Sequence, residues 1–113
     1  MAYTLVTVTP INRTGSDITT LANAATASDG DKFPNNGKTF LIVTNGAGAP
    51  ITVTVETPRT IDDLDVAEYT NSVTNGTTEI FGPFPTDTFN QSDGTVQVTW
   101  SSATSITFEA FSL

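Results

Sequence analysis

The tripeptide Gly37-Lys38-Thr39, closing the stretch GDKFPNNGKTF, has the ending of a phosphate-binding loop. The working loop is G-x-x-x-x-G-K-[ST], because consecutive backbone N–H groups must curl around the phosphates. Here six residues separate Gly30 from Gly37, and one of them, Pro34, has no N–H to offer. The run Phe40-Leu41-Ile42-Val43 that follows is strand-forming, whereas a phosphate loop opens a helix. The expected structure is a polar turn leading into a strand.

Carboxylates are the next candidates. Asp62-Asp63-x-Asp65 with Glu68, and separately Asp29-x-Asp31, could offer oxygens to calcium. Calcium takes six to eight oxygens from a loop of defined spacing, and neither cluster has it, so solvated turn acids and no metal are expected. Glycoside hydrolysis would need two acids across a cleft with separated pKa values, usually beside stacking aromatics. The single Trp100 shares a strand face with Val96 and Val98, which places it in the core. Ser101 and Ser102 have no histidine to activate them, since the chain has none, and no G-x-S-x-G elbow is present. With no cysteine either, thiolate sites and disulfides are excluded. No catalytic residue and no cofactor are expected. Asn12-Arg13-Thr14, Asn75-Gly76-Thr77 and Asn90-Gln91-Ser92 fit glycosylation triplets, which carry little weight without a secretion signal.

The aromatic loop Phe81-Gly82-Pro83-Phe84-Pro85, followed by Phe89, has a different character. Three phenylalanines braced by two prolines either pin the loop onto the body or serve a subunit contact. Pro83, Phe84 and Pro85 are therefore candidate interface residues. Tyr3 and Leu5 join them, because a first strand at a sheet edge can add to a partner's sheet.

The elements that must position these residues are strands. Tyr3 to Thr9 reads as a first strand stopped by Pro10, and Ile18 to Ala27 as extended or irregular. Ser28 to Gly37 reads as a loop, and Lys38 to Thr44 as a strand covered on both sides. Ile51 to Glu56 alternates, with Ile51, Val53 and Val55 inward, and is expected to pair with the preceding strand as a hairpin. Ile61 to Val66 reads as an acidic connection with apolar anchors. Tyr69 to Val73 and Thr77 to Phe81 flank Asn75-Gly76, a strong hairpin signal. Phe89 to Gly94 is a turn. Thr95 to Trp100 alternates, and Ser105 to Phe111 closes the chain with Ile106, Phe108 and Ala110 on one face.

Seven or eight short strands at regular spacing predict an all-β chain: an antiparallel β-sandwich, jelly-roll or Ig-like. Threonine, about a fifth of the 113 residues, suits exposed strand faces. The length fits one domain (1–113), with residues 1–28 as an arm or edge segment. Twelve acidic against four basic residues give a net charge of −8, which disfavours nucleic acid as a partner. No apolar run reaches membrane-spanning length and no signal peptide is read at the start, so a soluble protein made and folded in a cytoplasm is expected.

Together, the entry DGDKFPNNGKTFLIVTN, the T-V-T-V strand and the segment NGTTEIFGPFP…FN…DGTVQVTW resemble small structural proteins of tailed bacteriophages, among them head decoration (cement) proteins. The similarity runs from Asp29 to Leu113; the first 28 residues are not distinctive. The resemblance implies a β-sandwich synthesised in the host cytoplasm and bound to the capsid exterior of the virion. There it would staple neighbouring subunits of the major capsid protein, commonly as a homo-oligomer, a trimer. The family has no catalytic residues to carry over. A tail or head-fibre module, or a carbohydrate-binding sandwich, is the alternative.

Overall fold

The computed structural model describes residues 3–18 and 20–113. Seven strands of four or more residues build the body: β4 (Asp31–Pro34), β5 (Thr39–Asn45), β6 (Ile51–Val55), β9 (Tyr69–Val73), β10 (Thr78–Phe81), β11 (Thr95–Trp100) and β12 (Ile106–Ser112). Five two-residue strands complete it: β1 (Thr4–Leu5), β2 (Thr9–Pro10), β3 (Asn23–Ala24), β7 (Thr60–Ile61) and β8 (Leu64–Asp65). A single helical turn, α1, covers Thr86–Phe89.

Two sheets face each other across one apolar core. The first runs β1-β4-β11-β6-β9; the second runs β10-β5-β12-β2, with β3 also on β12. Pairing is antiparallel except at the edges, where β1 lies parallel to β4 and β2 parallel to β12. The expected all-β sandwich is the observed fold. Its order β4-β11-β6-β9, opposite the β5–β10 pair, is that of a jelly roll. The two strands between β6 and β9, β7 and β8, pair only with each other.

Alternation explains the core. Ile51, Val53 and Val55 of β6, Val96, Val98 and Trp100 of β11, and Ile106, Phe108 and Ala110 of β12 are all buried. Trp100 stacks on Phe108 at 5.0 Å and donates its indole N–H to Asp31 at 2.8 Å. Strand β5 departs from its expected two-sided cover. Thr39, Leu41, Val43 and Asn45 are buried, but Phe40 and Ile42 on the opposite face are only half-covered.

Four expectations about the chain's path are corrected. The segment 31–34 is a strand, not loop, because the Asp31 carboxylate is fully buried and bonded: it accepts from Thr26 N (2.9 Å), Thr26 Oγ1 (2.8 Å) and Trp100 Nε1. Strands β5 and β6 do not form a hairpin but lie in opposite sheets, and so do β9 and β10. Asn45 shows why. Its buried amide donates to Ala49 O and Val73 O (both 3.0 Å) and accepts from Ala47 N (2.9 Å), while its backbone bonds Gly76 N and Thr77 O. One side chain thus gathers both turns at the place where the chain crosses between sheets. The first strand is also split. Thr4–Leu5 pairs in the first sheet and Thr9–Pro10 in the second, so the N-terminal segment laces the two together. Pro10 sits inside the second pairing instead of ending the strand.

Candidate functional site

The phosphate-loop ending resolves into a turn held by side chains. Gly37 N donates to Asn35 Oδ1 (3.0 Å) and Lys38 N to Asn36 Oδ1 (2.9 Å), so the N–H groups an anion would need already have acceptors. Thr39 is buried and donates toward Pro34 O. The acidic cluster disperses too. Asp62 and Asp63 form an exposed turn, Asp65 lies on β8, and Glu68 turns back to accept from Thr57 N (2.6 Å). Among the described residues no group of three or more acids is placed to hold a metal ion. Glu56 is pushed above the ordinary carboxylate value by burial first and by its hydrogen bond and charge contact with Glu68 second.

The aromatic loop is where the interface expectation must be corrected. Phe84 is 2% exposed and belongs to the core, packed against Phe33 (5.8 Å) and edge-on to Phe89 (5.4 Å). An amide clasp seats it: Asn35 Nδ2 donates to Phe84 O (2.8 Å) and to Asn90 Oδ1 (2.7 Å), and Asn90 Nδ2 returns a bond to Asn35 O (3.1 Å). Holding the carbonyls on both sides of the loop turns the ring inward. Pro83 and Pro85 remain exposed on its shoulders. Beside them Tyr69, 42% exposed, meets Phe89 edge-on, and Tyr69, Gly82, Pro83, Phe84 and Phe89 enclose a pocket of about 180 Å³.

The N-terminal pair is placed differently. Tyr3 is half-buried beside Glu56 and Glu68; burial and then those two carboxylates push its phenol above the ordinary value. Leu5 is 62% exposed on the outer side of β1. It lines a cleft of about 490 Å³ together with Val6, Thr7, Val8, Pro34, Asn35, Asn36 and Ser112. The cleft exists because the chain steps from one sheet to the other here. Val6 N still bonds Lys32 O (2.9 Å), while Thr7 and Val8 belong to neither strand. Leu5 and Asn35 thus meet at one cleft, and Pro83 and Phe84 at another.

Two features had no sequence signal. The cleft arises from the lacing, which no local pattern encodes. Glu109, in the middle of β12, is 5% exposed with its Oε2 unpartnered, and burial pushes its carboxyl above the ordinary value. An acid in an alternating strand reads as solvent-facing; here the outer sheet face is itself covered. No family model, curated protein or solved structure gives a significant match to this chain.

Proposed function

We propose that this protein is a structural, non-catalytic component of a virion: a head decoration protein that binds the outside of a phage shell and staples major capsid protein subunits. The reading rests on the resemblance over Asp29–Leu113 and on one structural observation, the cleft at the laced edge. An extended segment of a capsid subunit would meet a groove lined by apolar side chains (Leu5, Val6, Val8) and by two amide side chains, Asn35 and Asn36. Apolar pockets would take alternate side chains of the segment, and edge backbone with Asn amides would take its peptide groups. A β-sandwich whose core closes within one chain offers such a groove without refolding, so many copies can bind a lattice with modest individual affinity.

The test is the number of copies per purified virion, measured by quantitative mass spectrometry against the major capsid protein. Hundreds of copies in simple ratio to the capsid protein are expected, and a Leu5→Arg variant should fold normally yet fail to load onto undecorated shells. A dozen copies would move the protein to tail or portal; none would sink the structural reading.

The aromatic pocket beside Tyr69 favours a second reading, a fibre module that stacks a host sugar on the exposed ring. In that case Tyr69→Ala would abolish glycan binding while leaving incorporation into the virion unchanged.

A further inference from the structure

The chain leaves the second sheet at one end of β12 and returns to it at the other, with residues 11–22 between. It departs where Thr9 and Pro10 pair with Phe111 and Ser112, and Ile11 N donates to Ser112 O (2.8 Å). It comes back where Asn23 and Ala24 pair with Phe108 and Thr107, and Asn23 Nδ2 donates to Phe108 O (3.3 Å). Between these ends it crosses the outer face of the sheet, where Ile11 and Ile18 share a pocket of about 220 Å³ with Phe40, Ile42 and Phe111. The hydrogen bonds of Thr14, Gly15 and Thr20 close turns within the segment. Ile11 and Ile18 remain 49% and 43% exposed. The segment is a strap, fastened at both ends, hollow beneath and lightly buried along its length.

Glu109 belongs to the face that the strap crosses. Ile106, Phe108 and Ala110 of β12 turn into the core, so Thr107, Glu109 and Phe111 turn outward. Glu109 is the cross-strand partner of Ile42 and stands two residues before Phe111, and both of those line the hollow. It also lies between the two fastenings, at Phe108 and Phe111. Its side chain is buried, with Oε2 lacking any hydrogen-bond partner. The residues that β2, β3 and β5 bring to this face are uncharged. Lys38 precedes Ile42 by four residues, roughly 13 Å along an extended chain, which is beyond the screening length of about 8 Å at physiological salt. The strap itself carries Arg13 and Asp17, one charge of each sign, and Asp17 makes a contact of its own. It therefore offers an ionised Glu109 no net attraction. A carboxylate in such a position is unfavourable unless water reaches it. Lifting the strap between its fastenings admits water, breaks no strand pairing and uncovers little apolar surface of its own.

We propose that the strap is a proton-controlled cover: it lies closed over the second sheet while Glu109 is protonated, and it lifts between its fastenings when Glu109 ionises, baring Phe40, Ile42 and Phe111. Burial, which pushes the Glu109 carboxyl above the ordinary carboxylate value, sets the sign. The closed state holds the proton more tightly than the open one, so its advantage is complete below the ordinary carboxylate range. That advantage is lost as pH rises through the closed-state value. One proton released per opening raises the open population about tenfold per pH unit within that window. The bared residues adjoin Ile80, 66% exposed and paired with Ile42, so rising pH enlarges one continuous apolar face. The device does not rest on the decoration reading, and it is tested on the purified protein alone.

The experiment is amide hydrogen exchange read by mass spectrometry at pH 5, 6, 7 and 8, each rate divided by the intrinsic rate at that pH. It compares wild type with Glu109→Gln and with Glu109→Met, an apolar side chain of similar length that gives a second form without the titrating group. In wild type, peptides covering residues 11–22 should open at least about tenfold more at pH 8 than at pH 5. They should also open far more readily than peptides of β6 and β11, which report unfolding of the body. Both variants should keep the protection that wild type shows at pH 5 throughout the range. Asp17 is present in all three proteins, so the difference belongs to Glu109. Strap protection independent of pH in wild type, or a pH response that persists in both variants, would overturn the proposal. So would strap peptides that exchange only as fast as β6 and β11, because the strap would then open only with the whole fold.

Discussion

The aromatic loop around Phe84 and the β7–β8 hairpin exchange the roles their residues suggest. Phe84, between two prolines in a loop, has the composition of an interface and lies in the core. Ile61 and Leu64, in a connection that reads as anchored, stand in solvent. The difference lies in what the rest of the molecule provides nearby. The aromatic loop passes the Asn35–Asn90 clasp, which takes its carbonyl and fixes the ring inward. The hairpin is fixed only at its base, and its two-residue turn points its apolar pair away from the body. Whether an apolar residue is buried is decided by which polar groups hold its backbone, as much as by its own hydrophobicity.

That contrast is breakable. Phe84→Ala should cost the most, about 3 kcal/mol or more, because it opens a cavity between Phe33 and Phe89; urea unfolding measures it, and a loss below about 1 kcal/mol would return Phe84 to the surface. Asn35→Ala should follow at about 2 kcal/mol by leaving Phe84 O and the Asn90 carbonyl without a donor, with a loosened Tyr69–Phe89 contact visible in near-ultraviolet circular dichroism.

Glu109→Gln sharpens the comparison on the outer sheet face. The folded carboxyl titrates above its unfolded value, so its contribution to stability is complete below the ordinary carboxylate range and is lost as pH rises through the folded value. The neutral glutamine should therefore raise Tm at pH 7 and lose its advantage near pH 4; a variant equally or less stable at pH 7 would show that the ionised acid is accommodated. The smallest effect belongs to the hairpin. Leu64→Ser should change unfolding free energy by no more than about 0.5 kcal/mol, and a larger loss would mean that the hairpin packs on its own body.

The legible parts of the fold were those with one wet and one dry side. Strands β6 and β11 announce themselves through alternation, and their inward apolar residues are buried; β12 alternates in sequence too, but Glu109 and Phe111 on its outer face are buried as well. Turns were legible as turns, but not their destinations. Asn75-Gly76 does reverse the chain, yet it carries it to the other sheet, because Asn45 binds both crossing points and nothing in the local sequence names that partner. Strand β4 was hidden because Asp31, its first residue, carries a carboxylate into a buried position, as Asn35 just after the strand carries an amide. Polar residues read as surface until their acceptors and donors are known. Leu5 reads as an edge residue and does lie on an edge strand, whereas the cleft it borders depends on the first strand dividing between sheets.

The lacing sets an order of events during synthesis. Strand β12 pairs with β5 along its whole length and also receives β2 and β3, so residues near the start of the chain wait for residues 106–112 before their partners exist. Residues 9–10 and 23–24 can pair only after residues 106–112 have been made, whereas Thr4–Leu5 has its partners, Asp31 and Lys32, much earlier in the chain. The lacing of the two sheets is therefore completed only once residues 106–112 are in place.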